Sequence, residues 1–106
     1  QQNNVRTGWL AYPVLLKKNT NFSRNDLQIH LEKNGIQTRP IFSGNILRQP
    51  IMKNRPYKKH KQACIVSDDV MKNGLLIGCH HGLLIKDLNY MTKICENFLK
   101  RYIKQK

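Results

Sequence analysis

The residues best equipped for chemistry in this 106-residue chain fall in two places. One is Thr38-Arg39-Pro40-Ile41-Phe42-Ser43-Gly44-Asn45-Ile46-Leu47-Arg48-Gln49-Pro50, where Arg39, Asn45 and Arg48 lie in and after a short run with β-branched and aromatic members. Ser43-Gly44-Asn45 reads as a turn, because glycine and asparagine both tolerate positive φ, and a sharp reversal there leaves Asn45 and Arg48 beyond the strand end. The other place is Cys79-His80-His81-Gly82, directly after the apolar run Leu75-Leu76-Ile77-Gly78. Successive side chains on extended backbone point to opposite faces, so Cys79, His80 and His81 are badly arranged to share one metal. The remaining reading is one histidine facing a pocket at the strand end and the other structural.

Much chemistry is missing by spacing: no glycine-rich phosphate loop, no paired carboxylates, no metal-ligand set, no nucleophile beside a base. With 6 Asp and Glu in all, acid–base work inside this chain would fall to histidine. Cys64, Cys79 and Cys95, odd in number and widely spaced, match neither a disulfide framework nor a zinc cluster, and point to a reducing cytoplasm. The 19 Lys and Arg give a formal charge of +13, a field that attracts anions. Nucleic acid, phosphorylated small molecules and an acidic protein surface would all answer it. The cations are spread from Arg6 to Lys106, as on a lysine-rich solvated exterior. The densest run, Lys53 to Lys61 around Tyr57, supports a second reading as a basic nucleic-acid-binding module, on the slender ground of one aromatic among lysines.

Positioning these residues takes one domain, a layer of sheet and a layer of helix, hence an α+β fold. Residues 1–7 read as a lead-in or linker remnant and residues 8–106 as the domain. Trp9 to Leu16 is the first strand, with Pro13 arguing against a central position and Trp9 as a core or interface anchor. Ser23 with Asp26 three residues on forms a capping box, Phe22 and Leu27 a staple, Leu27 and Leu31 a buried helix face, and Asn34-Gly35 the stop. Thr38 to Phe42 is an edge strand or strand end because of Pro40. Gln49 to Gln62 is the least structured stretch. Ala63 to Asn73 forms a short helix with Ser67 as its cap, Leu75 to Cys79 a buried strand, and Ile85 to Ile103 a long amphipathic helix with Leu88, Met91, Cys95, Phe98 and Tyr102 as its core stripe. His30 is a partly exposed helix residue. No run is long enough to cross a membrane, so no membrane partner is expected.

The string Gly35 to Pro50, preceded by Phe22-Ser23-Arg24-Asn25-Asp26-Leu27 and followed by Gly78-Cys79-His80-His81-Gly82-Leu83, resembles the carboxy-terminal domain of the DegT/DnrJ/StrS family of pyridoxal-phosphate-dependent sugar aminotransferases and dehydratases. The likeness runs from about Gly8 to Ile103 and is strongest to the nucleotide-sugar 3-dehydrase, RfbH-like branch of lipopolysaccharide biosynthesis. It implies the small domain of the aspartate-aminotransferase type, a short antiparallel or mixed sheet with helices packed on one face. It also implies that pyridoxal phosphate and its catalytic lysine or histidine belong to a large amino-terminal domain missing from this chain, that the fragment alone is inactive, and that the full-length enzyme is a cytoplasmic homodimer. This domain would then supply no catalytic residue and no metal ligand, only one wall of the cleft for a nucleotide-sugar substrate. Arg39, Asn45, Arg48 and His81 are its implied substrate-binding residues, a guanidinium being suited to paired, charge-assisted hydrogen bonds to a diphosphate. Nucleic acid is then not an expected partner.

Overall fold

A computed structural model describes residues 3–58 and 64–103. The first regular element, strand β1 (Ala11–Leu15), is shorter than the apolar run containing it, and Trp9 lies before it, 45% exposed and outside the core. Helix α1 (Arg24–Lys33) begins where the sequence indicates. The Ser23 hydroxyl accepts from the Asp26 N–H, and the Asp26 carboxylate accepts from the Ser23 N–H at 2.8 Å, so both halves of the capping box are made. Its end is a Schellman motif. The Ile36 N–H donates to the Leu31 carbonyl and the Gly35 N–H to that of Glu32, with Gly35 at φ 73°.

Ile36 returns the chain to strand β2 (Thr38–Pro40), after which two 3-10 turns, Ile46–Arg48 and Pro50–Met52, give the start of the supposedly irregular 49–62 stretch a definite shape. Helix α2 (Ile65–Asn73) follows, and strand β3 (Gly74–Gly78) continues from it with no intervening residue. The position before α2 is Cys64, which makes no side-chain cap bond; Ser67 sits inside the first turn rather than at the cap. Helix α3 (Ile85–Ile103) closes the domain. Lys59, His60, Lys61 and Ala63, from the basic run and the expected helix start, and Lys104 and Lys106 lie outside the described residues.

The sheet is antiparallel with the order β1-β3-β2. The two prolines that lie in strands are therefore both on edge strands, Pro13 opposite Leu76 and Pro40 opposite Leu75, where a missing N–H leaves the central ladder intact. The period of two puts Leu75 and Ile77 of β3 on one face, and α1 and α3 cover that face with Leu27, Leu31, Ile94 and Phe98. Leu31 and Leu75 are fully enclosed, each contributing on the order of 2 kcal/mol of apolar transfer. Phe22, Phe98 and Tyr102 form an aromatic cluster with centroids 4.9–5.0 Å apart, tying the α1 entry to the last turns of α3. Along α3 the inward stripe is Met91, Ile94, Cys95, Phe98 and Tyr102. Leu88, expected in it, is 44% exposed, because the helix begins beyond the sheet end. On the opposite sheet face Pro13, Leu15 and Arg39 stand exposed.

Candidate functional site

Asn45 and Arg48 come together on a residue that the sequence does not single out. The chain leaves β2 through a tight reversal in which Phe42 has φ 45° and Gly44 φ 62°, with the Gly44 N–H donating to the Ile41 carbonyl. Gly44 lies hard against α2: a Cβ there would stand 2.5 Å from the Met71 Cγ and 2.7 Å from its Cα. This close approach carries Asn45 into the interior, 4% exposed. Its Oδ1 accepts from the Leu47 N–H and caps the first 3-10 turn, while its Nδ2 donates to Asp68 Oδ1 at 2.7 Å. Arg48 grips the same carboxylate with two bonds, Nε to Oδ1 at 3.0 Å and Nη2 to Oδ2 at 2.8 Å. These donors, the Arg48 guanidinium first and the Asn45 amide second, hold the Asp68 carboxyl down at about 2.

The arrangement fixes the plane of the Arg48 guanidinium while leaving the side chain 60% exposed. Of its five N–H donors two are used on Asp68, and the other three have no partner among the described residues. Arg39 is placed differently. It pairs with Leu76 in the ladder and projects from the open face of the sheet. The neighbouring Thr38 faces the core, where its hydroxyl accepts from Gln28 Nε2 and donates to Glu32 Oε1. The backbone and hydroxyl bonds from Thr38 lower the Glu32 carboxyl below its ordinary range. Phe42 is the other feature absent from the sequence reading: a bulky residue with left-handed backbone and 89% exposure, between Arg39 and Asn45.

His81 is at the other end of the sheet. Because β2 and β3 are antiparallel, the exit of β2 at Pro40 lies beside the start of β3, and the exit of β3 at Gly78 lies beside the entry to β2. It is His80 that borders a recess of about 380 Å³ there, with Gln37, Leu83, Asp87, Tyr90 and Met91. The Gly82 N–H donates to His80 Nδ1 at 3.1 Å, so the neutral ring carries its proton on Nε2. Asp87 accepts from the Leu84 N–H at the start of α3, and the Tyr90 hydroxyl donates to the Asn34 carbonyl. His81 stands exposed in the turn, its ring centroid 6.2 Å from that of His80. The four residues implied by resemblance thus form an Asn45–Arg48 pair at one end of the sheet, Arg39 on its open face and His81 at the far end.

Among the described residues no cluster of three or more His, Cys, Asp or Glu is positioned for a metal, and Cys64, Cys79 and Cys95 are free thiols. No described helix is long and apolar enough to cross a membrane. His30 is a packing residue, its Nε2 3.2 Å from the Ile94 carbonyl and its ring 5.2 Å from that of Phe98.

Residues 1–96 match the model of the DegT/DnrJ/EryC1/StrS aminotransferase family. The chain belongs to that family. Among relatives in it, the lipopolysaccharide biosynthesis protein RfbH of Salmonella typhimurium is 31% identical over 90 residues, covering 85% of this chain and 20% of that protein. The GDP-4-keto-6-deoxy-D-mannose 3-dehydratase of Escherichia coli O55:H7 is 28% identical over 95 residues, covering 89% and 24%. A solved GDP-4-keto-6-deoxymannose-3-dehydratase holding a trapped PLP-glutamate geminal diamine superposes with a TM-score of 0.75 at 28% identity, over 89% of this chain and 24% of that one. The E. coli enzyme with bound hydrated PLP gives 0.76 over the same shares. The fold is thus that of one part of an aminotransferase-type enzyme, and the chain spans 20% to 24% of the length of these family members.

Proposed function

We propose that this chain is the carboxy-terminal small domain of a pyridoxal-phosphate-dependent nucleotide-sugar 3-dehydratase or aminotransferase of lipopolysaccharide sugar biosynthesis, and that it forms one wall of the substrate cleft. The observation that carries this is the superposition, at a TM-score of 0.76 and 28% identity over 89% of the chain, on an enzyme of that kind with bound hydrated PLP. In the whole enzyme the cofactor supplies an electron sink for chemistry at the sugar. The recess at the end of β3 does not fit it as a binding site. Such a site needs a lysine amine, an acidic or basic partner at the ring nitrogen and a phosphate cradle. The recess at the end of β3 has no lysine or arginine in its lining, and its one carboxylate, Asp87, already accepts the Leu84 N–H. Cofactor and reacting groups accordingly belong to the larger part of the polypeptide, and the same reading makes the whole enzyme a cytoplasmic homodimer.

What this domain contributes is substrate placement. Arg48, held flat by Asp68, presents its free donors to an anionic oxygen of the diphosphate, and Asn45 keeps Asp68 aligned from below. Arg39 offers a second guanidinium from the open sheet face, where a larger domain would lie. His81 completes the set for an elongated ligand, since the five residues of β3 separate the two ends by roughly 14 Å at ~3.4 Å per residue.

The test compares the full-length polypeptide with the 106-residue chain, each incubated with pyridoxal phosphate, glutamate and a nucleotide-linked 4-keto-6-deoxy sugar, product being followed by mass spectrometry. Conversion by the full-length protein and none by the chain alone is the expected result. A full-length protein that neither takes up the cofactor nor alters the sugar overturns the assignment.

A further inference from the structure

A second concave region lies away from all of these residues, where the exit of β1 meets the entry of α1 and the end of α2. It is an open, polar recess of about 490 Å³, and three cationic side chains, Lys17, Arg24 and Lys72, line it. Among the described residues none of the three has a salt-bridge partner. Arg24 is the partly buried one of them. Its Nε is buried with no hydrogen-bond partner, and its other contacts are long, 3.5 Å to the Gly74 carbonyl and 3.4 Å to Asn25 Oδ1. Held only by those long contacts, its Nη1 and Nη2 groups keep donors for a stronger acceptor placed in the recess.

The backbone adds to the same field. The recess opens onto the first turn of α1, where the Asp26 and Leu27 N–H groups are taken by Ser23 and those of Arg24 and Asn25 have no partner among the described residues. The positive end of the helix dipole therefore faces the recess that the three cations line. One carboxylate shares the rim, Asp26, and it is turned back onto the Ser23 N–H and hydroxyl at 2.8 and 2.7 Å, so its charge is already engaged. Three positive groups against one occupied negative one leave a net attraction for a compact anion with several acceptor oxygens.

We propose that this recess binds a phosphate group, taken up by Lys17, Arg24 and Lys72 together with the first turn of α1. The site is separate from the Arg39, Asn45 and Arg48 group and does not depend on the enzymatic reading. The bound species is a phosphate or diphosphate, either free or carried by a nucleotide.

Nitrogen-15 NMR of the 106-residue chain titrated with inorganic pyrophosphate at constant ionic strength tests it. The expected result is saturable shifts at the Arg24 and Asn25 amides and at the Arg24 side-chain Nε–H, with affinity reduced about tenfold by the double substitution Lys17→Ala and Lys72→Ala. Both lysines are exposed, so the rest of the spectrum reports retention of the fold. A control pair, Lys86→Ala and Lys93→Ala on α3, removes the same charge elsewhere and should leave the affinity unchanged. Shifts scattered over the whole basic surface, or an equal loss in both double variants, would mean that net charge alone attracts the anion and would overturn the proposal. A nucleoside diphosphate binding no more tightly than pyrophosphate assigns the site to the phosphate itself, and tighter binding assigns it to a nucleotide; both support it.

Discussion

Gly35→Ala and Gly44→Ala are the same substitution at two left-handed glycines, φ 73° and 62°, and should have very different consequences. An alanine in the left-handed region costs about 1–2 kcal/mol, and the smaller entropy of the unfolded chain returns part of that, so the backbone contribution at either site is about 1 kcal/mol. At Gly35 nothing lies within 4 Å of the added Cβ, and the backbone contribution is all there is. At Gly44 the new methyl would stand 2.7 Å from the Met71 Cα, which belongs to the backbone of α2 and has no rotamer to escape into. Separating the turn from the helix adds about 2 kcal/mol of overpacking, for a total near 3 kcal/mol. Urea unfolding of both variants measures the gap. With a slope of roughly 1–1.5 kcal/mol per molar for a chain this size, the midpoints should differ by about 1.5 M. Met71→Ala should not rescue Gly44→Ala, because alanine keeps the obstructing Cα and Cβ. Equal destabilisation by the two glycine substitutions would show that the turn is not wedged against α2, and the placement of Asn45 and Arg48 would lose its physical basis.

Asn45→Ala removes the cap of the 3-10 turn and one donor to Asp68, and should destabilise the chain by about 2 kcal/mol in the same assay, whereas Asn45→Asp, which sets a second carboxylate against Asp68, should be worse. Acid should weaken the fold in a defined window. Asp68 is depressed from 3.8 to about 2, and Asp26 and Glu32 are lowered from 3.8 and 4.5, so each stabilises the fold fully above its ordinary value and loses that contribution as pH falls through its lowered one. Stability measured by thermal melts should therefore decline from about pH 4.5 towards pH 2, and Asp68→Asn should flatten the lower part of that decline. A profile identical in Asp68→Asn and the parent chain would contradict the Arg48–Asp68 geometry.

The α1 entry and exit were legible in sequence because capping is local. Ser23 and Asp26 are three residues apart, and Gly35 meets Leu31 and Glu32 across one turn, so short-range stereochemistry decides both. Pro13 and Pro40 announced edge strands for the same kind of reason, since a residue without an N–H has no place in the central ladder. The span of α3 was equally readable from its period. Its inward stripe was less so, because whether Leu88 is covered depends on where the sheet ends beneath it.

The Thr38 to Pro50 segment divides along the same line. Its composition was enough to establish a strand end, a turn, and polar side chains beyond it. That Asn45 is buried rather than displayed, that Arg48 is pinned by a carboxylate 20 residues away, and that Arg39 and His81 stand apart were decided only by tertiary structure. The strand pairing sends the exits of β2 and β3 in opposite directions, and the close contact of Gly44 with Met71 brings α2 and Asp68 to the turn. Both are relations between segments distant in the chain, which no local pattern of residues encodes.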